Sequence, residues 1–348
     1  MNDFTAFPFE SLPDLLLPWY EANARQLPWR RTKEPYRVWI SEIMLQQTRV
    51  EAVLGYYDRF LSALPDIPSL AAAEDDALMK LWEGLGYYSR ARNLKKAAQQ
   101  IMEQHGGSFP EAYGDIRALS GIGDYTAGAI ASICFDMPTP AIDGNVLRLC
   151  ARLADSAADI LLPATKKALE APLKAAYKKG RCGDITQALM ELGATVCIPN
   201  GAPLCGSCPL SCRCRAKAAG TAEKLPVRIK KTKRKEEYLT AFLFTAPDGR
   251  IALTKREEKG LLAGLYALPT ASGTLTEADA ATAAEAFGAK PERLVSALQY
   301  DHVFTHITWH VTCYRFEVAP PGENAPFLFA KPGEYALPPV FMKGLKLM

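Results

Sequence analysis

The stretch ALSGIGDYTAGAIASICF, residues 118–135, places two glycines on either side of an isoleucine, directly before a run of small and apolar side chains. The run predicts a helix, and the residues before the glycines predict a short helix as well, so the glycines connect two helices. Backbone N–H groups in such a loop, together with the start of the second helix, can bind an anion. A tight turn between packed helices also explains the glycines and is the simpler interpretation of the loop alone.

Bulk composition is that of a globular protein large enough for two or three domains: 348 residues, 49% hydrophobic and 23% charged. The net charge of +3 does not by itself indicate a nucleic-acid partner, but the segment RIKKTKRK, residues 228–235, concentrates six cations. No apolar stretch approaches the roughly 20 residues of a membrane span, and the acidic, proline-containing N-terminus does not resemble a signal peptide. We therefore expect a cytosolic protein.

Helical periodicity dominates residues 10–215, where short segments containing glycine or proline separate the apolar patterns. The pattern of residues 38–60 predicts helix throughout. Further helices are predicted over 74–82, 89–104, 124–135, 145–153, 164–178 and 184–196. The sequence thus predicts an all-α domain over residues 1–221.

Strand patterns begin after the basic, proline-containing segment 222–236, which predicts a linker. Asp248 and Gly249 separate two β-type patterns and suit a tight hairpin turn. Residues 301–316 predict one long strand, on which His302, His306 and His310 would share a face, about 13 Å apart and too distant for one metal. Residues 237–348 are predicted to form a separate α+β domain.

Two carboxylates stand out in the helical region. Glu42 has no cation three or four residues away, so burial beside apolar neighbours would raise its pKa and make it a possible proton donor. A salt bridge to a distant arginine is the equal alternative. Asp143 precedes a predicted helix, and a helix cap is the stronger explanation for it on residue type alone.

Five of the nine cysteines crowd into 18 residues, as CIPNGAPLCGSCPLSCRC. Disulfides are not expected in the cytosol, and a loop rich in proline and glycine has no apolar core to bury thiols. Cysteine thiolates at this density suit zinc or an iron–sulfur cluster. The spacing leaves open which metal binds.

Together these motifs resemble the helix-hairpin-helix DNA glycosylases that carry an iron–sulfur cluster, and within them the MutY-type adenine DNA glycosylases. The resemblance rests on LPWR, PYRVWISEIMLQQTRV, LWEGLGYYSRARNL, LSGIGDYTAGAIAS, AIDGNVLRLCARL and the cysteine loop, in consistent order. It implies a helix-hairpin-helix domain with a cluster loop at 197–214 and a Nudix-like C-terminal domain.

The resemblance also implies roles for individual residues. Glu42 would protonate N7 of a flipped-out adenine and Asp143 would stabilise the sugar cation, with Tyr125 and Asn145 orienting them. Tyr125 stands where strand-cleaving relatives carry a lysine, which implies a monofunctional enzyme. The adenine pocket would include Trp29, Arg30 and Gln187. DNA contacts would come from Gln47, Tyr87, Gly121 and Gly123.

The remaining implied sites are the iron–sulfur cluster site and the site that recognises the damaged base. Cys197, Cys205, Cys208 and Cys214 would bind a [4Fe-4S] cluster, although seven residues separate the first two where the family has six, and Cys212 is spare. Phe304, Thr305 and His306 match an F-S-H signature that recognises 8-oxoguanine, with threonine replacing serine. The Nudix-like domain lacks the acidic run for pyrophosphate hydrolysis, so no hydrolase activity is expected from it.

The function implied is removal of adenine paired with 8-oxoguanine, or more weakly with guanine, from double-stranded DNA by a monomer in the bacterial cytosol or nucleoid. Two alternatives stay open. A bifunctional pyrimidine-lesion glycosylase/lyase would trap covalently on abasic DNA, and a non-enzymatic protein would bind duplex DNA without releasing a base.

Overall fold

The computed structural model describes residues 4–229, 234–320, 322 and 325–348. Residues 230–233, inside the basic segment predicted as a linker, lie outside this described part. Within the described residues, no helix combines the length and the apolar content that crossing a membrane requires.

The chain divides into two compact units, each built from two stretches of sequence. The first unit comprises Met1–Ala73 and Arg92–Lys230, and the second comprises Glu74–Ala91 and Lys231–Met348. An 18-residue segment between the helical stretches is therefore grouped with the C-terminal residues rather than with its sequence neighbours.

Helices dominate residues 12–218, which confirms the predicted all-α region. They are α1 (Leu12–Asn23), α2 (Pro35–Leu45), α3 (Val50–Ala63), α4 (Ile67–Ala72), α5 (Asp75–Trp82), α6 (Ser89–Gln104), α7 (Tyr113–Ala118), α8 (Asp124–Phe135), α9 (Gly144–Ala154), α10 (Pro163–Lys174), α11 (Cys182–Thr195) and α12 (Arg215–Ala218).

Residues 38–60 differ from the prediction, because the helix is interrupted between Leu45 and Val50. Gln47 adopts a left-handed backbone with φ of 57° and is exposed. The polar run QQTR supplies no apolar side chain to keep the helical stripe continuous there, so the chain turns and starts a second helix.

Four helices of the first unit pack around a common centre: α11 packs against α8 and α9, and α2 packs against α8. Gly193 permits the closest of these approaches, because a Cβ on it would lie 2.8 Å from the Cβ of Asn145. Any larger residue would push α11 away from α9.

The second unit is built on a mixed sheet, as the predicted α+β class requires. Its elements are β1 (Lys235–Thr245), β2 (Ile251–Lys255), β3 (Tyr266–Ala267), β4 (Thr270–Ser272), α13 (Glu277–Ala286), β5 (Pro291–Val303), β6 (Ile307–Val318), β7 (Leu328–Ala330) and α14 (Pro339–Met342). The strand order is β3-β2-β1-β6-β5, with β4 pairing with β1 and β7 pairing with β2. Strands β1 and β6 run parallel, and the other pairs are antiparallel.

Apolar side chains cover both faces of this sheet. One cluster includes Leu243, Val311 and Phe341, and a second includes Phe244 and Phe316 with alanines of α13. The predicted hairpin at Asp248–Gly249 is present, since Thr245 pairs with Ile251 across that turn.

Residues 301–316 form two strands, not the single strand predicted. The chain reverses at residues 304–306, and the N–H of Phe304 donates to the carbonyl of Ile307 at 2.8 Å. In the resulting hairpin His302 pairs with Trp309 and His310 pairs with Asp301. Because consecutive residues of a strand alternate between faces, His302 and His310 lie on opposite faces, and the prediction of one shared face was wrong.

Candidate active site

A cavity of about 180 Å³ lies among α2, α8, α9 and α11 in the first unit. It brings together seven residues that sequence reasoning singled out, although they are spread over some 160 positions of the chain. They are Trp29, Arg30, Glu42, Tyr125, Asp143, Asn145 and Gln187.

Glu42 lies in the last two turns of α2 and is only 5% exposed. Its carboxylate accepts a hydrogen bond of 2.7 Å from the hydroxyl of Tyr125. Burial raises the pKa of Glu42 to about 7, and the hydrogen bond from Tyr125 opposes part of that rise. A carboxyl group with such a pKa is protonated in a large fraction of molecules at neutral pH, so it can donate a proton.

Tyr125 is the second residue of α8 and faces the same cavity. Burial first, and then the negative charge of Glu42, hold the pKa of the Tyr125 phenol well above its ordinary value. The hydroxyl therefore keeps its proton and acts as a donor. Its oxygen also lies 3.8 Å from the sulfur of Met190.

Asp143 caps α9, as its residue type predicts, and its side chain also lines the cavity. Its side chain accepts from the backbone N–H of Val146 at 2.7 Å and from the amide of Asn145 at 2.8 Å. Burial raises the pKa of Asp143, while these two hydrogen bonds act in the opposite direction because they favour the carboxylate.

Arg148 fixes the orientation of Asn145. Its guanidinium, almost fully buried, donates to the Asn145 side-chain oxygen at 2.9 Å and to the carbonyl of Gly193 at 2.6 Å. The amide nitrogen of Asn145 is thereby directed at Asp143. Arg148 also donates to the carbonyl of Cys197 at 2.8 Å, which links α9 to the start of the cysteine loop.

A buried ion-pair network on the cavity wall was missed by sequence reasoning. Glu191 is 1% exposed and accepts from Arg25 at 2.7 and 3.0 Å and from Arg30 at 2.7 Å. Burial acts to raise the pKa of Glu191, but the two arginines outweigh it and lower the pKa. The available signal was a carboxylate four residues after Gln187, among the apolar side chains of residues 188–194 in α11.

Aromatic and amide groups complete the wall. Trp29 is buried with its ring edge-on to Tyr57 at 5.3 Å, and Gln187 accepts from the hydroxyl of Tyr20 at 3.1 Å. The guanidinium of Arg30 lies 5.6 Å from the Tyr20 ring. Flat apolar surface beside hydrogen-bonding groups suits a planar heterocycle.

The loop between α7 and α8 is a tight helical hairpin. Gly121 has φ of 76°, and a Cβ on it would lie 2.7 Å from the Cβ of Asn93. Gln100 pins the loop by accepting from the N–H of Ser120 at 2.8 Å. Gly123 is the N-cap of α8 without a side-chain cap, and a Cβ there would contact nothing within 4 Å.

The cysteine loop gathers four of its five thiols around one largely apolar cavity. Cys197, Cys205, Cys208 and Cys214 line it, whereas Cys212 is exposed and does not. Arg152 donates to the sulfur of Cys197 at 3.3 Å. Among the described side chains, no three His, Cys, Asp or Glu residues are arranged around a single metal ion.

The remaining residues singled out by sequence are not among those that line the cavity around Glu42. Gln47, in the first unit, and Tyr87, in the second, are exposed and share a left-handed backbone, with φ of 57° and 48°. Phe304, Thr305 and His306 form the turn between β5 and β6 in the second unit. The hydroxyls of Tyr87 and Thr305 are 2.9 Å apart.

Comparison with known proteins finds adenine DNA glycosylases among the relatives of this chain. The chain is 43% identical over 210 residues to the adenine DNA glycosylase of Mus musculus, covering 58% of this chain and 41% of that protein. It is 40% identical over 220 residues to the adenine DNA glycosylase of Buchnera aphidicola subsp. Acyrthosiphon pisum, covering 63% of each. The matches thus span about two fifths to just under two thirds of these curated relatives.

Solved structures agree with this fold. A thermostable thymine-DNA glycosylase superposes with a TM-score of 0.57 at 27% identity, covering 62% of this chain and all of that one. A trapped endonuclease III–DNA covalent intermediate has a TM-score of 0.52 at 20% identity, covering 64% of this chain and 98% of that one, which supports the fold alone.

Family models match both halves of the chain. Residues 40–177 match the HhH-GPD superfamily of base excision DNA repair proteins, and residues 240–347 match the NUDIX domain. The predicted fold class, a helix-hairpin-helix domain followed by a Nudix-like domain, is confirmed. Separate parts of the chain are thus similar to an HhH-GPD base excision repair domain and to a NUDIX domain.

Proposed function

We propose that this chain is a monofunctional DNA glycosylase that removes adenine from double-stranded DNA by hydrolysis of the N-glycosidic bond. The observation that carries the proposal is the pairing of Glu42, buried and with a pKa of about 7, with Asp143 in one cavity. Burial raises the pKa of both, but Asp143 accepts from a backbone N–H and an amide, which favour its ionised form. Glu42 can therefore serve as the acid and Asp143 as the charge stabiliser.

Glu42 supplies the proton in this mechanism. Adenine is a poor leaving group until its ring is protonated. N7 belongs to the same five-membered ring as N9, which bears the sugar, so protonation at N7 lets the base leave as a neutral molecule. Tyr125 orients Glu42 through the 2.7 Å hydrogen bond. Because that bond favours the ionised carboxylate, it also stabilises the state that follows proton transfer.

Asp143 acts on the sugar, where it stabilises positive charge. Loss of the base leaves positive charge on the sugar ring, and a carboxylate held by Val146 and Asn145 lowers the energy of that cation without rearranging. Arg148, bound to Asn145, keeps the amide in place during the reaction. Water completes the hydrolysis.

The wall of the cavity supports a monofunctional reaction. No lysine is among the described residues that line it, and Tyr125 occupies the position that the resemblance assigns to a lysine in strand-cleaving relatives. A phenol cannot form an imine with the sugar aldehyde. The bifunctional alternative therefore lacks its nucleophile there.

We further propose that adenine opposite 8-oxoguanine is the preferred substrate and adenine opposite guanine the weaker one. Phe304, Thr305 and His306 form the β5–β6 turn and would read the lesion base together, with Thr305 and His306 exposed at its tip. The Gly121–Gly123 hairpin would hold a backbone phosphate, and the exposed Gln47 and Tyr87 would enter the duplex beside the mispair.

A [4Fe-4S] cluster is the proposed cofactor, bound by Cys197, Cys205, Cys208 and Cys214. Each thiolate of such a cluster binds a different iron, so its four sulfurs surround the group instead of meeting at one ion. Four thiols around one cavity fit that requirement. The cluster would cross-link the loop and hold the cations of residues 213–217 at the surface. Purified protein should be brown with a visible charge-transfer band; active, colourless, zinc-loaded protein would overturn this assignment.

The decisive experiment is a single-turnover assay on a duplex with one adenine opposite 8-oxoguanine. Strand breaks that appear only after alkali are expected, since a monofunctional enzyme leaves an intact abasic strand. Breaks without alkali, with a borohydride-trapped adduct through a lysine, would favour the bifunctional alternative. Tight binding without adenine release would favour the non-enzymatic one.

A further inference from the structure

The three turn residues of the hairpin that joins β5 to β6 differ in their exposure. The hydrogen bond from the N–H of Phe304 to the carbonyl of Ile307 closes the turn at 2.8 Å. Thr305 and His306 are exposed at its tip, whereas Phe304 is half-buried. The ring of Phe304 is thus packed against the body of the unit, and its position depends on what lies behind it.

Two aromatic rings support Phe304. Its ring lies edge-on to His302 with centroids 4.6 Å apart and to Trp309 with centroids 5.0 Å apart. His302 and Trp309 are directly paired across β5 and β6, so they stand side by side on one face. Burial lowers the pKa of His302, which keeps its ring uncharged at neutral pH.

Trp309 is in turn fixed by a residue of the neighbouring strand β1. It is 6% exposed, and its indole N–H donates to the carboxylate of Glu237 at 2.8 Å. Glu237 is the register partner of Trp309 on β1 and also pairs with Lys235. The guanidinium of Arg256 lies 5.8 Å from the indole ring. Rotation of the indole would break the hydrogen bond with Glu237, so that bond and the burial of the ring favour this orientation.

We propose that Trp309, oriented by Glu237, is a positioning residue that fixes the ring of Phe304 and thereby sets the preference for 8-oxoguanine over guanine. The inference rests on the proposed role of Phe304 in reading the lesion. A ring that is immobilised before binding loses little conformational freedom when it stacks on a base, so its contact energy is retained. Discrimination then depends on two contacts in series, Glu237 with Trp309 and Trp309 with Phe304, which join β1, β6 and the turn.

Glu236 offers a matched control for Glu237. It is the preceding residue on β1, and its carboxylate accepts from His310 at 2.9 Å. The His310 ring stacks on Tyr238 with centroids 4.6 Å apart. Glu236 therefore carries the same charge at nearly the same place but bonds a ring on the opposite face of the sheet from Trp309.

The test measures single-turnover excision by the full chain on duplexes with adenine opposite 8-oxoguanine or guanine, over a range of protein concentrations. Glu237→Leu and Trp309→Phe should each reduce the preference for 8-oxoguanine about two- to tenfold, the size of an aromatic pair contact. The loss should appear in the apparent Kd for the 8-oxoguanine duplex, with the maximal rate on the guanine duplex unchanged. Glu237→Gln should retain the preference, because its amide oxygen still accepts from the indole. Glu236→Leu should also retain it.

Phe304→Ala separates this inference from the function on which it rests. It should lower the preference, and adding Glu237→Leu to it should lower the preference no further, since both act through one ring. If Phe304→Ala lowers the preference while Glu237→Leu and Trp309→Phe do not, the positioning role is wrong and the proposed function stands. If Glu237→Gln loses the preference for 8-oxoguanine as Glu237→Leu does, the hydrogen bond to the indole does not set that preference and the inference is overturned. If Phe304→Ala changes nothing, the lesion-reading assignment itself fails.

Discussion

Replacing Glu42 with glutamine should make the protein more stable at alkaline pH while abolishing adenine excision. Burial raises the pKa of Glu42 from its ordinary 4.5 to about 7. At about 1.4 kcal/mol per pKa unit, ionising this group in the folded state costs about 3 kcal/mol more than ionising it in the unfolded chain. Glutamine has no charge to bury, and its amide oxygen can still accept the hydrogen bond from Tyr125.

The direction of this pH dependence follows from whether the folded or the unfolded state binds the proton of Glu42 more tightly. Below pH 4.5 Glu42 is neutral in both states and the cost is absent. It grows as pH rises from 4.5 to about 7 and stays constant above that. The stability advantage of Glu42→Gln over the unchanged protein should therefore widen by about 2–3 kcal/mol between pH 5 and pH 8.5.

Urea unfolding followed by helix content, at several pH values, measures that gap. Glu191→Gln is a control of opposite sign in the same cavity, because its arginine partners lower the pKa of Glu191 despite its burial. That ion pair stabilises the fold above the ordinary carboxyl pKa and loses its effect as pH falls, so Glu191→Gln should destabilise most at high pH. A gap for Glu42→Gln that does not vary with pH would refute the neutral, buried proton donor.

Three further substitutions test neighbouring parts of the reasoning. Tyr125→Phe removes a hydrogen bond to the carboxylate, so the pKa of Glu42 should rise and the alkaline limb of the single-turnover pH profile should move up by about one to two pH units; an unmoved limb would contradict the contact. Asp143→Asn should abolish excision in a protein that remains folded, because the asparagine oxygen can still cap α9 through the N–H of Val146; retained excision would remove Asp143 from the mechanism. Gly121→Ala should lower the free energy of unfolding by about 1–3 kcal/mol in a denaturant titration, since the site has positive φ and no room for a Cβ. Gly123→Ala is the control and should be tolerated, because a Cβ there meets nothing within 4 Å. Equal effects of the two substitutions would argue against the tight turn.

The parts of the fold that sequence predicts well are those with a periodic pattern. Helix α6 begins and ends where the apolar spacing predicts, and the Asp248–Gly249 turn is where its dipeptide predicts. The failures are local reversals inside apolar stretches. Neither the break at Gln47 nor the turn at Thr305 contains glycine or proline, the residue types that most often mark a change of direction.

The candidate site shows the same division between local and distant information. Glu42 could be singled out because it has no cation within a helical turn, and that absence is visible in the sequence. Glu191 could not be understood in the same way, because its partner Arg25 is 166 positions away. The resemblance to a family placed the reacting residues in one pocket, but the ion pair on its wall required coordinates.

The segment Glu74–Ala91 belongs with the C-terminal unit although helical stretches of the first unit flank it. The polypeptide consequently passes from one unit to the other three times, and no single cut can release either one intact. A fragment that starts at residue 231 lacks the carboxylate of Glu83, which accepts from the N–H of Leu337 at 2.9 Å, and the hydroxyl of Tyr87 beside Thr305. DNA binding measured on such a fragment would therefore come from a hairpin that lacks its contact with Tyr87.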